Sequence, residues 1–175
     1  MTRDQKIVAV GAASGVAAII IGMAGIYHLW PVNPRLADAG SRLSCALQAN
    51  AFAVLPLLIA VMVVGNDRFL SAAIDPTLGK EDLATQINGR VADNTLQQFV
   101  LFFVATMALS TNLQPATMRL IPAAALVFVA ARAAFWIGYR IHPLYRAFGM
   151  AATGYLNLGL VGLALWKAFA PAIFP

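Results

Sequence analysis

The 175 residues are 61% hydrophobic and 11% charged, with mean hydropathy +0.76 and a formal net charge of +5. Soluble domains carry roughly 25% charged residues, so the composition excludes a water-soluble globular fold and makes lipid the solvent. The positive balance forms no basic cluster interleaved with aromatics, which argues against nucleic acid and leaves membrane topology and anionic lipid contact as its uses.

Five apolar runs follow in chain order, each near the ~20 residues that a helix needs to cross about 30 Å of hydrocarbon. They are Ile7–Trp30, Leu43–Val64, Thr95–Leu113, Leu120–Ile141 and Leu144–Phe169. The runs are long and lack strand alternation, which argues against a β-barrel. The expected fold is therefore all-α and polytopic, a single membrane domain over residues 1–175.

The first run follows Arg3 and Lys6 and exceeds the length of a signal-peptide apolar region, so it reads as a retained helix. Its Gly11 and Gly15 stand at the spacing that lets membrane helices approach closely. The second run contains Pro56, which predicts a kink, and Gln48 and Asn50, which read as helix-packing amides. The single cysteine, Cys45, lies in this run beside Ala46 and Leu47 and reads as a small packing residue. Gly65–Gly89 is the longest connection, with turn signals at Asp75-Pro76 and Leu78-Gly79 and a short surface helix expected over Glu81–Ile87.

The third run opens on a polar stripe. At 100° per residue Arg90, Asn94 and Gln97 share one narrow wedge of helix surface. In the fourth run Arg132, Phe135 and Tyr139 follow i, i+3, i+7 and so share a face, and Arg140, His142, Tyr145 and Arg146 follow close behind. Polar groups that enter a bilayer need partners or a task. The chain has few acids to offer, so a bound anion is attractive. Bland readings stand beside it: Arg90 as a snorkelling side chain, Asn94 and Gln97 as interhelical hydrogen-bond glue, Arg132 paired with Asp93 of a neighbour or with helix carbonyls.

With the N-terminus in the cytoplasm, inside segments carry Arg3, Lys6, Arg68, Lys80, Arg90, Arg140 and Arg146, against Arg35, Arg42, Arg119 and Lys167 outside. Seven against four favours that orientation. Short loops and the absence of processing signals lean towards a bacterial inner membrane.

Two motifs resemble a family. Arg90-Val-Ala-Asp-Asn94-Thr-Leu-Gln97 and Arg132-Ala-Ala-Phe135-Trp-Ile-Gly138-Tyr139, followed by Arg146, are similar in order and separation to the pattern of MAPEG, the membrane-associated proteins in eicosanoid and glutathione metabolism. Gln97 stands where that family typically has glutamate, and Phe135 where it has tyrosine. The resemblance covers 43–169 as a four-helix core, with 7–30 as an additional N-terminal helix and 65–89 as a cytoplasmic loop. It implies a homotrimer that binds glutathione between subunits as co-substrate, with Arg90, Asn94, Gln97 and Arg132 holding the peptide. Arg146 would then activate the thiol and Tyr139 would orient it. The implied function is a glutathione-dependent transferase or peroxidase acting on lipophilic electrophiles that arrive through the bilayer. The alternative is a non-catalytic membrane protein whose polar stripe serves oligomer packing or binds lipid or another anion.

Overall fold

A computed structural model describes residues 1–173, and among these it is helical throughout, without strands. Helix α1 (Arg3–Leu29) starts at a capping box in which Thr2 and Gln5 satisfy one another's backbone amides, at 2.8 and 3.2 Å. Helix α2 (Ala39–Ala53) is capped by Asp38, whose side chain accepts from the Ser41 amide at 2.9 Å. The chain then breaks at Val54 and resumes as α3 (Leu55–Phe69), with Pro56 in its first turn. Proline carries no N–H and crowds the preceding turn, so the expected kink is a full break between two helices.

A single-turn helix over Pro76–Leu78 ends at Gly79, whose φ of +63° suits glycine. Helix α4 (Leu83–Asn112) follows, capped by Asp82 through the Thr85 amide at 2.7 Å. The surface helix expected over Glu81–Ile87 and the third apolar run are thus parts of one 30-residue helix. Once Asp82 caps the start, no proline interrupts it, and the lone Gly89 is tolerated. A short turn over Pro115–Thr117 leads to α5 (Leu120–Ile141), and another over Pro143–Arg146 leads to α6 (Ala147–Ile173).

Four helical segments among the described residues are long and apolar enough to cross a membrane: Arg3–Leu29, Ala39–Phe69, Pro115–Ile141 and Pro143–Ala170. Five such runs are read from the sequence; α4 falls outside this set because its first half carries Arg90, Asp93, Asn94, Gln97 and Gln98. Helix α5 is the most buried span and touches all the other helices; α6 packs on α1, α4 and α5, α2 packs on α4 and α5 alike, and α3 lies mainly against α4. The core holds Phe102 and Phe128, with ring centroids 4.7 Å apart, together with Leu109, Met118 and Ile121.

Close approach of helices depends on two glycines. A Cβ at Gly15 would land on the carbonyl oxygen of Phe148, so α1 reaches α6 backbone to backbone. At Gly149 a Cβ would meet the Phe135 amide and the Ala131 carbonyl, so α5 and α6 are equally intimate. At the opposite end of α1, the Arg119 guanidinium lies over the Tyr27 ring at 4.2 Å and ties the helix to the α4–α5 turn.

Candidate functional site

Polar side chains collect at one end of the bundle, where α3 ends, α4 begins, α5 ends and α6 begins. They form three groups. The deepest centres on Arg132 of α5, which is 1% exposed. One of its terminal nitrogens donates to Asn94 Oδ1 at 3.0 Å and to Thr153 Oγ1 at 3.2 Å; the other donates to Thr95 Oγ1 at 2.8 Å. The guanidinium lies 4.0 Å from the centroid of Phe135, and its Nε–H has no partner. The two threonines keep their own protons engaged, Thr95 with the Val91 carbonyl at 2.6 Å and Thr153 with the Gly149 carbonyl at 2.9 Å. Each hydroxyl is thereby turned to present its lone pairs to the arginine. The charge is held wholly by neutral acceptors and a ring face.

The second group centres on Tyr139, one helical turn beyond Phe135 and 3% exposed. Its hydroxyl oxygen accepts from Arg146 at 2.8 Å and from Arg90 at 3.4 Å. The Arg146 guanidinium also lies 4.8 Å from the tyrosine ring centroid. Both arginines are exposed. A phenolic oxygen that accepts from two guanidiniums still has its own proton to give. Among the described residues no acceptor takes it. The group therefore offers donors only, from two arginines and one phenol, all aimed at the same small region.

The third group centres on Asn88, 1% exposed. Its amide nitrogen donates to Asp67 at 2.8 Å, and its oxygen accepts from the Trp136 indole at 2.9 Å and from Arg140 at 3.4 Å. This knot ties α3, α4 and α5 together. Nearby, Asp82 caps α4; the Thr85 amide and hydroxyl, with a smaller contribution from Arg140, hold its carboxyl below the usual carboxylate range.

The acids are all accounted for elsewhere. Glu81 pairs with Arg68 at 2.7 Å, the ion pair found among the described residues. Asp67 binds Asn88, Asp75 binds Thr77, and Asp38 and Asp82 cap helices. Asp4 lies in the first turn of α1, and Asp93 is exposed. None pairs with Arg90, Arg132 or Arg146.

Of the residues singled out from the sequence, Arg90, Asn94, Arg132, Tyr139 and Arg146 are brought to these groups, and Gln97 is not. Gln97 is exposed on the outer face of α4, while its neighbour Gln98 turns inward, where its carbonyl and side-chain oxygens accept from Asn157 at 2.9 and 2.8 Å. Thr95, Thr153 and Asn88 are additions. For Asn88 and Thr95 the signal is positional: they share the buried face of α4 with Val91 and Phe102, so polar residues there are interior residues.

Fold and site together define an all-helical, polytopic integral membrane protein with a cationic, donor-rich end. The chain is similar to Transmembrane protein 79 of Mus musculus, 29% identical over 161 residues, and to Transmembrane protein 79 of Bos taurus, 28% identical over 161 residues. In each case the match covers 90% of this chain and 40% of the relative, so the chain spans about 40% of the length of the curated relatives it matches. No family model matches the chain. No solved structure matches it.

These findings correct the resemblance to MAPEG: the relatives carry a different name, and no family model supports the assignment. The motif spacing has a simpler origin. Polar residues three or four apart are what any membrane helix shows when it exchanges hydrogen bonds with its neighbours, as Asn94 and Arg132 do here.

Proposed function

We propose that this is a non-catalytic membrane protein that binds an anion at the crevice formed by Arg90, Tyr139 and Arg146. The observation that carries this reading is the set of converging donors. Two guanidiniums meet at one phenolic oxygen, with a third buried two turns further in and no carboxylate within ion-pair distance of any of them. Like charges held this close repel each other, and an oxyanion among them turns repulsion into charge-assisted hydrogen bonding. Arginine suits the task because it stays charged when partly desolvated and grips oxyanions with two parallel bonds. The end of the bundle that holds the N-terminus carries Arg3, Lys6, Arg68, Lys80, Arg90, Arg140 and Arg146 and the other end four basic side chains, which supports a cytoplasmic crevice.

The test is thermal unfolding of the purified full chain in nanodiscs, titrated with inorganic phosphate, glutathione and chloride at matched ionic strength. A ligand at 100 times its Kd stabilises by about 2.7 kcal/mol. We expect a saturable rise with at least one oxyanion over chloride, lost in Arg146→Gln. Equal response to all three anions at 10 mM would sink the reading.

A second reading rests on a different observation. Asp93 and Gln97 are exposed on the outer face of α4, where a neighbouring copy of the chain would bury them more cheaply than lipid. Native mass spectrometry of the wild type against Asp93→Leu/Gln97→Leu would show loss of an oligomer if this face is an interface.

A further inference from the structure

The cationic crevice opens onto an apolar groove. A cavity of about 570 Å³ runs between the first turns of α1 and the start of α6, walled by Val8 and Ala12 on one side and by Leu144, Met150, Gly154 and Leu158 on the other. Arg146 is the charged residue in its lining, and it is the same Arg146 that reaches Tyr139. From Ala147, where α6 starts, to Leu158 the groove follows about 16 Å of helix at 1.5 Å per residue. Half of a bilayer's hydrocarbon is about 15 Å deep, so the groove reaches from the headgroup level to about the midplane.

We infer that this groove binds one anionic phospholipid, its phosphate at Arg146 and Arg90 and an acyl chain laid between α1 and α6. The inference rests on the anion-binding reading above and names the ligand of that site. The shape is amphipathic in the order a lipid requires: donors at the membrane surface, then apolar wall. A soluble anion would leave the groove unused, and a zwitterionic lipid would bring a second cation beside two arginines. The groove's rim near Val8 and Ala12 continues along Asp4 and Gln5. Asp4 is the acid on that side, and Arg3 and Lys6 flank it on the same helix turn.

Two substitutions separate head from tail. A Cβ at Gly154 meets nothing within 4 Å, so Gly154→Leu starts its side chain in open space in the groove wall and leaves Arg90, Tyr139 and Arg146 in place. Ala12→Leu fills it from the opposite wall. The experiment is native mass spectrometry of the delipidated full chain titrated with dioctanoyl phosphatidate, dioctanoyl phosphatidylcholine or glycerol 3-phosphate.

We expect a single phosphatidate per chain, with phosphatidylcholine and glycerol 3-phosphate weaker by about tenfold or more, and a similar loss in Gly154→Leu, Ala12→Leu and Arg146→Gln. Wild-type phosphatidate binding in both groove variants, with loss in Arg146→Gln, would overturn the tail placement and leave the anion crevice standing. Glycerol 3-phosphate binding as tightly as phosphatidate would overturn the lipid and assign the site to a soluble anion. A groove closed by a second copy would appear as a dimer that takes up no lipid, which also overturns it. Undiminished phosphatidate binding in Arg146→Gln would overturn both the lipid and the crevice.

Discussion

Thr95→Val is an isosteric change at a residue 1% exposed, and it isolates one bond to a buried charge. The lost contact is the 2.8 Å hydrogen bond from Arg132. Hydrogen bonds to charged groups contribute about 1.5–3 kcal/mol. The Val91 carbonyl also loses its 2.6 Å hydroxyl partner, but it remains within the helix ladder. Arg132 already has one nitrogen without a partner, Nε, and the mutation leaves a second nitrogen of the same group without one. The expected destabilisation is about 2 kcal/mol, or roughly 30-fold in the folded-to-unfolded ratio. The partner mutation is Arg132→Met, which removes the charge and keeps much of the volume. Replacing a buried charged group by an apolar one of similar size is often neutral, because the desolvation cost disappears with the charge. In that background Thr95→Val has no donor to disappoint and costs little. The cycle therefore predicts coupling above about 1.5 kcal/mol, against the ~0.6 kcal/mol average for interhelical hydrogen bonds in a membrane protein. Reversible unfolding in mixed detergent micelles, followed by tryptophan fluorescence, gives all four values. Additive mutations, or a Thr95→Val cost under about 0.5 kcal/mol, would refute the claim that neutral acceptors hold a charged Arg132.

Three further outcomes follow from the geometry. Asn88→Leu removes the acceptor of the Trp136 indole N–H and the donor to Asp67; we expect about 3 kcal/mol of destabilisation and altered near-ultraviolet tryptophan dichroism. Gly15→Val drives a side chain onto the Phe148 carbonyl and should separate α1 from α6, whereas Gly25→Ala, with open space around it, should be neutral or stabilising by up to about 1 kcal/mol; a cysteine pair at Gly11 and Ala147, cross-linkable in the wild type, reads the separation. Asp82 is held below the usual carboxylate range by Thr85, so the stability it gives is present above the unfolded pKa and is lost as pH falls through the lower folded one. Asp82→Asn keeps a capping oxygen that does not titrate, and should flatten the acid limb of the unfolding midpoint measured from pH 6 down to pH 2.

How much was legible turns on which way a helix face points. Arg132, Phe135 and Tyr139 were placed on one face by spacing alone, and all three are buried together against α4 and α6. The same arithmetic put Arg90, Asn94 and Gln97 in one wedge, and their angles are right. That wedge, however, is the outer shoulder of α4. Only Asn94 lies near enough to its inner edge to reach Arg132, while Arg90 reaches Tyr139 by the length of its side chain and Gln97 faces outward. Periodicity reports which residues share a face, not what the face meets. In water the meeting partner can be guessed, because polar faces seek solvent. In lipid a polar face can be satisfied by a neighbouring helix, a second chain or a bound ion, and the three leave the same trace in sequence.

The inner face of α4 shows the point from the other side. Thr95 and Asn88 look unremarkable among the polar residues near the helix start, yet they hold Arg132 and Trp136. Counting donors against acceptors separates the cases. Around Asn88 the Trp136 indole, the Arg140 guanidinium and the amide itself each find an acceptor, in the Asn88 oxygen or in Asp67, and the group closes as a structural knot. Around Tyr139 two guanidiniums and a phenol offer protons, and the hydroxyl oxygen is the one acceptor present. A buried interhelical joint needs donors and acceptors in balance, and surplus donors at an exposed crevice are met by water or by an anion that takes its place. That imbalance, rather than any motif, is what supports the anion site proposed at Arg90, Tyr139 and Arg146.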